Sequence, residues 1–197
     1  MANKILFGLC NVHYAKLTET TDPVTGKVTN TYGTPHAWPG AVSLGLDPQS
    51  ELLKEYADNM TWHVQDNNKG YEGDYEYEVM PEDFRENILG EVKDPNGVFH
   101  EVDNAGTTYF ALMFEINGDA KARRNLLYKC SATRESLSGS TKGESIEPAH
   151  GTITITAISR SDHELKASTS EDADATAYAG WYDAVYEKPA ATEAGKN

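Results

Sequence analysis

The sequence predicts a mainly β fold, an antiparallel β-sandwich or barrel, with one short flanking helix and a second helix near the C-terminus. Three observations predict it. Several segments place apolar residues at every second position, hairpin-forming Gly, Pro, Asn and Asp residues separate them, and only two short segments show a helical spacing. At 197 residues the chain suits one core, so we predict a single domain over residues 1–189 and a flexible tail over residues 190–197.

The first strand is predicted in KILFGLCNVHYAKLTE, residues 4–19. Residues 20–35 then collect Thr, Asp, Pro and Gly with few apolar side chains, which predicts an exposed hairpin or loop. A second strand follows in GAVSLGL, residues 40–46, where Val and Leu alternate with small residues.

A long polar excursion follows this strand. Asp47–Asn59 is too long for a tight turn, so it is predicted to be an extended loop, and long loops in compact domains are usually functional. Leu52, Leu53 and Tyr56 are apolar positions within this polar frame. Two interpretations stay open for them, contact with another molecule and local packing over the sheet.

An acidic strand is the most unusual feature of the sequence. The segment MTWHVQ, residues 60–65, is predicted as a strand, DNNKG, residues 66–70, as a turn, and YEGDYEYE, residues 71–78, as the next strand. Its four carboxylates recur at every second position and therefore share one side of the strand. They are Glu72, Asp74, Glu76 and Glu78.

A helix is predicted directly after this strand, over about residues 81–90. Pro81 stands where a helix can begin, Glu82 and Asp83 favour its first turn, and Gly90 can end it.

The second half of the chain predicts three more strands and the second helix. Strands are predicted in TTYFALMFEI, residues 107–116, in NLLYKCSAT, residues 125–133, and in GTITITAIS, residues 151–159, and Asn117-Gly118 predicts the hairpin between the first two. A helix over about residues 175–187 is predicted from four apolar or aromatic residues at helical spacing. These are Tyr178, Trp181, Tyr182 and Val185.

The search for enzyme signatures fails in this sequence. The six histidines lie singly, without the paired spacing of a zinc site, and the Gly-Lys segments lack the spacing of a phosphate-binding loop. Cys10 and Cys130 lie far apart in strand-like surroundings, which predicts two reduced, buried thiols. We therefore expect no catalytic residues, no metal site and no cofactor.

Charge excludes one further class of function. The formal net charge of −14 is spread along the chain, so the protein repels phosphate backbones rather than capturing them. Five basic residues nevertheless cluster after the predicted hairpin turn. They are Lys121, Arg123, Arg124, Lys129 and Arg134. Two interpretations of this cluster stay open: its members form ion pairs with a second copy, or they neutralise acidic residues of the same chain.

An ordered series of segments resembles the major tail proteins of bacteriophages with long, flexible, non-contractile tails, found mostly in phages of Gram-positive hosts. The matching segments cover nearly the whole chain: FGLCNVHYAKLTE, YGTPHAWPGAVSLGLD, YADNMTWHV, NNKGYEGDYEYEVMPEDFRENILGE, FALMFEINGDAKARRNLLYKCSATR, ESIEP before TITITA, and AYAGWYDAVYE. None of them is a catalytic fingerprint, and the resemblance depends on their number and order.

The resemblance implies a tail tube fold, a β-sandwich with a flanking helix, without the additional immunoglobulin-like domain that some relatives carry. It implies that six copies form a ring and that rings stack into a tube. The tube surrounds a tape measure protein, meets terminator and baseplate or distal tail proteins at its ends, and later conducts genomic DNA. The expected location is the virion tail, assembled in the host cytoplasm.

The resemblance also implies roles for the singled-out residues. Leu52, Leu53 and Tyr56 would anchor the excursion on the adjacent ring. The acidic row of four carboxylates would line the lumen or, alternatively, the outer surface of the tube, because a conduit for DNA should not bind it. Six copies carry a formal charge of six times −14, or −84, so apolar and strand-edge contacts have to dominate assembly.

A binding module is the alternative from another functional class. Trp38, Trp62 and Tyr75, if exposed on a β-sandwich, would form a stacking surface for sugars, as in a monomeric carbohydrate-binding module. A hydrolase is the third possibility, and the sequence offers it no defensible nucleophile or acid pair.

Overall fold

A computed structural model of the protein describes residues 3–137, 139, 141 and 148–189. The mainly β, antiparallel fold predicted from the sequence is confirmed. The predicted flexible tail, residues 190–197, lies outside the described residues. No helix in the described part of the chain has the length and apolar character needed to cross a membrane.

Eleven strands and two short helical segments make up the described structure. The strands are β1 Leu6–Thr21, β2 Val28–Tyr32, β3 His36–Ala37, β4 Ala41–Ala57, β5 Met60–Tyr77, β6 Val92–Lys93, β7 Phe99–His100, β8 Phe110–Gly118, β9 Arg123–Ala132, β10 Gly151–Ala157 and β11 Lys166–Ser168. The helices are α1 Glu82–Phe84, continued by a π-helical turn at Arg85–Leu89, and α2 Ala175–Ala179, continued by a 3-10 turn at Gly180–Tyr182.

Nine of the strands form one antiparallel sheet in the order β2-β1-β8-β9-β10-β5-β4, with β3 paired to β1 and β11 paired to β9. Strands β6 and β7 form a separate small hairpin. The end strands β2 and β4 do not pair with each other within the described residues, so the sheet is open. The barrel that the sequence left as an alternative to a sandwich is therefore not closed. Strands from both halves of the path nevertheless face one core, which means that the sheet curves around it.

Trp38 lies at the centre of this core and is 1% exposed. Its ring centroid is 4.9 Å from those of Tyr75 and Tyr77 and 4.4 Å from that of Phe84. The indole N–H donates to the carbonyl of Val79 at 3.1 Å, which satisfies its polar atom inside the core. Trp38 thus joins strand β5 to the helical segment that follows it.

The predicted helix near residue 81 is confirmed in position. Phe84 and Ile88 are buried one turn apart, and Gly90 ends the segment with a φ of 73°, a conformation that favours glycine. The turn between them is π-helical rather than α-helical.

The other side of the sheet is covered by the C-terminal segment. Trp181 and Val185 pack with Met113 and Leu126 in a second apolar cluster. Asp174 caps α2 by accepting from the backbone N–H groups of the next turn, which also lowers the pKa of its carboxyl group. The helical segment ends at Tyr182 and is shorter than the sequence predicted.

The predicted loop over Asp47–Asn59 is wrong. Strand β4 continues through Ala57, and β5 pairs with it in one long hairpin whose turn is Asp58-Asn59, with φ of 51° and 62°. The predicted turn at residues 66–70 is also wrong. Lys69 is an extra residue in β5, and Gly70 has a φ of 112°, so the Gly signal there marks a β-bulge instead of a turn.

The predicted hairpin at Asn117-Gly118 exists, but its turn lies further along the chain. Asn117 and Gly118 extend β8 and pair with Phe7 and Leu6 of β1. The chain reverses after them, before β9 begins at Arg123. Gly118 is needed for a close approach, because a Cβ there would lie 2.6 Å from the Lys121 carbonyl oxygen.

We expect Gly73→Ala to destabilise the fold strongly. A Cβ at position 73 would lie 1.8 Å from the Gly45 carbonyl oxygen of β4, so the two strands would have to separate. Thermal or chemical unfolding should show a loss of about 2 kcal/mol or more in the free energy of unfolding. The matched control is Gly45→Ala, where a Cβ meets open space and the change should stay within about 0.5 kcal/mol. Equal effects at both positions would contradict this packing.

Candidate functional site

The acidic row lies on the outer side of β5, as its period of two predicts. Tyr75 and Tyr77 point into the core, whereas Glu72 and Asp74 are exposed and Glu76 is half-buried on the opposite side. Glu78 follows the end of the strand and is exposed. In the part of the chain that the structure describes, no Lys or Arg forms an ion pair with any of the four.

Hydroxyl groups surround the row. The Thr154 hydroxyl donates to Asp74 at 2.8 Å, and the Ser43 hydroxyl donates to Glu76 at 2.8 Å. The neighbouring strands place Thr152, Thr154 and Thr156 beside Glu76, Asp74 and Glu72. The three-stranded surface of β4, β5 and β10 is therefore polar and anionic. Such a surface repels polyanions and offers them hardly any cationic contact.

The outer half of the β4–β5 hairpin, residues 49–70, projects beyond the rest of the sheet, and we call it the arm. Strand β10 pairs with β5 only at residues 71–77, so the arm consists of two strands alone. Nine residues of extended chain on its β4 strand give it a length of about 30 Å. Every residue from 50 to 69 is exposed.

The two sides of the arm differ in character. Strand β4 alternates without interruption from Ser43 to Ala57, so Leu52 and Tyr56 lie on the same side as the core residues Leu44 and Leu46. Val64 pairs with Lys54 and shares that side. Leu52, Tyr56 and Val64 are 51%, 68% and 50% exposed. We call this the apolar side of the arm.

Leu53 lies on the opposite side of the arm, between Glu51 and Glu55. That side is continuous with the acidic row, because Asp47, Gly45 and Ser43 on β4 pair with its members on β5. The three anchors predicted from the sequence are all exposed, but they do not form one surface. Sequence reasoning missed Val64, which the alternation of apolar residues in MTWHVQ could have indicated once that segment was placed opposite β4.

The basic cluster is largely engaged within the chain. Arg124 pairs with Glu115 at 2.9 Å, Lys129 with Glu19 at 2.7 Å, and Arg134 with Glu101 at 2.7 Å. Lys121 donates to the carbonyl of Glu171 and lies over the ring of Tyr178. Arg123 differs from the others, because it is exposed and forms no ion pair with any described residue.

We expect Arg124→Met to lower the free energy of unfolding by about 3 kcal/mol, because Glu115 is 7% exposed and would be left as an unpaired buried charge. The guanidinium also lies 3.9 Å from the centre of the Tyr178 ring and donates to the Tyr178 carbonyl, so α2 should loosen as well. Chemical denaturation measures the loss. The exposed neighbour Arg123→Met is the control, with an expected change within about 0.5 kcal/mol, and an equal loss in both variants would refute the role of the Arg124 pair.

The proposed sugar-stacking surface of Trp38, Trp62 and Tyr75 is wrong for two of its three members. Trp38 is 1% and Tyr75 is 0% exposed, because both pack in the aromatic core against each other. Trp62 is exposed on the arm, far along the strand from Tyr75. The three rings therefore form no common surface.

The cysteines match the predicted reduced state, although only Cys130 is fully buried. Burial raises the pKa of the Cys130 thiol, which keeps it protonated and unreactive. Cys10 is half-buried beside Glu115 and Asn117. Within the described ranges, no group of three His, Cys, Asp or Glu residues is arranged to hold a metal ion.

No family model matches the chain, and a search of the curated proteins finds no match. The arm and the acidic surface are the structural features of the described residues that bear on function.

Proposed function

We propose that the protein is a structural subunit that assembles with identical copies into stacked rings of six. The stack forms the tail tube of a bacteriophage with a long, non-contractile tail and serves as the conduit for genomic DNA. The family resemblance of the sequence supports this proposal, and so do two features of the structure, the arm and the acidic surface. The tape measure protein inside the tube and the terminator and baseplate or distal tail proteins at its ends are partners in the same proposal.

The arm is the main structural support for this proposal. Two-stranded hairpins are marginally stable in water. The arm has 22 residues and leaves Leu52, Tyr56 and Val64 half or more exposed, so a single copy obtains little stabilisation from burying them. Exposed apolar side chains grouped on one side of a projecting element are typical of protein–protein contacts. In the proposed tube the partner of the arm is a second copy of the same chain, which is present at high local concentration during assembly.

The acidic surface fits the proposed bore. A conduit for DNA has to avoid cationic contacts, because each of them releases counterions from the DNA and holds it in place. Glu72, Asp74 and Glu76 form a row with hydroxyl neighbours and no basic partner among the described residues. We propose that this row, followed by Glu78, faces the lumen.

Assembly at different salt concentrations tests the proposal. Each copy carries a formal charge of −14, so identical copies repel one another at low ionic strength. Purified protein should form rings and tubes in negative-stain micrographs, and light scattering should show more polymer at higher salt. A monomer at all salt concentrations would refute the proposal, and tubes that dissolve steadily as salt rises would show that ion pairs hold the copies together.

A further inference from the structure

The arm leaves the rest of the sheet at a single β-bulge. Strand β10 pairs with β5 from Tyr71 onward, and Lys69, the extra residue of the bulge, lies two positions earlier. The bulge is therefore located where the three-stranded sheet ends and the two-stranded arm begins. A bulge bends its strand and increases the local twist. A bend at this position changes the direction in which the arm leaves the sheet, and we call residues 68–70 the elbow.

Backbone contacts hold the elbow in one conformation. Gly70 is buried with a φ of 112°, and a Cβ there would lie 1.9 Å from the carbonyl oxygen of Ala157, so its backbone packs directly against the end of β10. The Asn68 side chain accepts from the Gly70 N–H at 3.0 Å, which satisfies the backbone donor of the bulge. On the other side of Gly70, Lys166 of β11 donates to the Tyr71 hydroxyl at 3.1 Å. The elbow is therefore a braced bend rather than a free hinge.

The charge of Lys69 contributes little to this bend. Lys69 forms an ion pair with Glu51 across the arm, but the two side chains are 53% and 70% exposed. Solvent screens such a pair, so it holds the two strands only weakly. The presence of an extra residue in β5, rather than its side chain, produces the bulge.

Removal of Lys69 would take away the bend and leave the two sides of the arm unchanged. Gln49 faces Gly70, and the next pair along the arm is Ser50 and Asn68. Without the extra residue these pairs are consecutive on both strands, as in a regular antiparallel ladder. The apolar side of the arm would keep its residues. One deletion thus separates the direction of the arm from the composition of its surfaces.

We propose that the elbow aims the arm, so that its apolar side reaches the neighbouring copy, an inference that rests on the proposed function. Every residue from 50 to 69 is exposed, so no described part of the chain covers the arm beyond the elbow. The direction set at the elbow is therefore carried to the tip. A change in direction of about 20° would move the tip of an arm about 30 Å long by about 10 Å, far more than a packed contact tolerates.

Deletion of Lys69 tests whether the elbow sets the direction of the arm. Lys69→Gln is the matched control, because it keeps the extra residue and removes the same charge. Spin labels on the exposed sites Asp58→Cys, at the turn of the arm, and Lys16→Cys, on β1, report the tip-to-sheet distance in chains lacking the Cys10 thiol. We expect the same narrow distance with and without Lys69→Gln, and a distance that differs by about 5 Å or more in the deletion variant. An unaltered distance in the deletion variant would overturn the elbow.

Assembly of the same variants tests whether this direction matters for docking. The deletion variant should need a concentration about tenfold or more higher, equivalent to about 1.4 kcal/mol or more of lost contact, whereas Lys69→Gln should assemble at nearly the wild-type concentration. Circular dichroism melts verify the fold, and nuclear Overhauser contacts between the paired residues Leu53 and Gln65 verify the register of the arm. Normal assembly of a deletion variant whose tip has moved would overturn the aiming role while leaving the tube intact.

Asn68→Ala is a second variant that keeps the chain length, so it tests the elbow even if the deletion variant does not fold. Loss of the acceptor for the Gly70 N–H should loosen the elbow and widen the spread of tip-to-sheet distances. A spread as narrow as that of the wild type would overturn the braced bend. Wild-type protein that never assembles would overturn the proposed function and the role of the elbow in it, whereas the distances within the monomer depend on the fold alone.

Discussion

We expect the Leu52→Lys/Tyr56→Lys variant to remain a folded monomer under conditions in which the wild-type protein forms tubes. Both side chains lie on the apolar side of the arm, and both are more than half exposed in the single chain. Burying two such side chains stabilises a contact by roughly 3 kcal/mol, and lysine adds the cost of desolvating a charge. The concentration needed for assembly should therefore rise roughly 100-fold or more, as measured by sedimentation and light scattering.

Leu53→Lys is the matched control for this prediction. Leu53 is as exposed as Leu52 but lies on the acidic side of the arm, between Glu51 and Glu55. We expect this variant to assemble at nearly the wild-type concentration and both variants to melt at the wild-type temperature. If Leu53→Lys abolishes assembly as completely as the double variant, both sides of the arm are buried between copies. If neither variant impairs assembly, the arm is not an interface.

The second large effect is expected from reversing the charge of the acidic row. The variant Glu72→Lys/Asp74→Lys/Glu76→Lys should form tubes that retain short double-stranded DNA, whereas wild-type tubes should retain none. Three lysines per copy would bind DNA phosphates, which the native carboxylates repel. Fluorescent DNA that co-sediments with the tubes measures the retention. It should fall steeply with salt, as phosphate contacts do.

Protection of the retained DNA from nuclease shows whether the acidic row lies inside or outside the tube. A matched variant reverses three exposed acids elsewhere, Glu86, Asp103 and Asp183, and has the same net charge. DNA retained by the row variant should resist nuclease because it lies inside the bore, and DNA bound by the matched variant should be digested. Equal digestion in both variants would place the row on the outside of the tube.

The sequence predicted those features that a local pattern determines. The period of two in residues 151–159 predicted the strand in which Ile153 and Ile155 are buried, and the same period placed Glu72, Asp74 and Glu76 together on one side of β5. Pro81 and Gly90 bounded the first helix because proline and glycine act through their own backbone geometry.

The sequence could not predict features that depend on distant strand pairing. Asp47–Asn59 is polar and lacks a strand pattern, yet its backbone is held in β4 by pairing with β5. The sugar-binding alternative required Trp38 and Tyr75 at the surface, and no local pattern indicates that these two distant rings meet in the core. Arg124 and Arg123 are neighbours of the same charge, and only the partners across the sheet distinguish a buried ion pair from an exposed cation.

A cryo-electron microscopy map of the purified protein at assembly concentration would show whether identical copies close into a tube. We expect stacked rings of six copies in which every arm is buried against a neighbour and the carboxylates of the acidic row line the bore. Separate protomers with free arms, or a bore lined by lysine and arginine side chains, would contradict it.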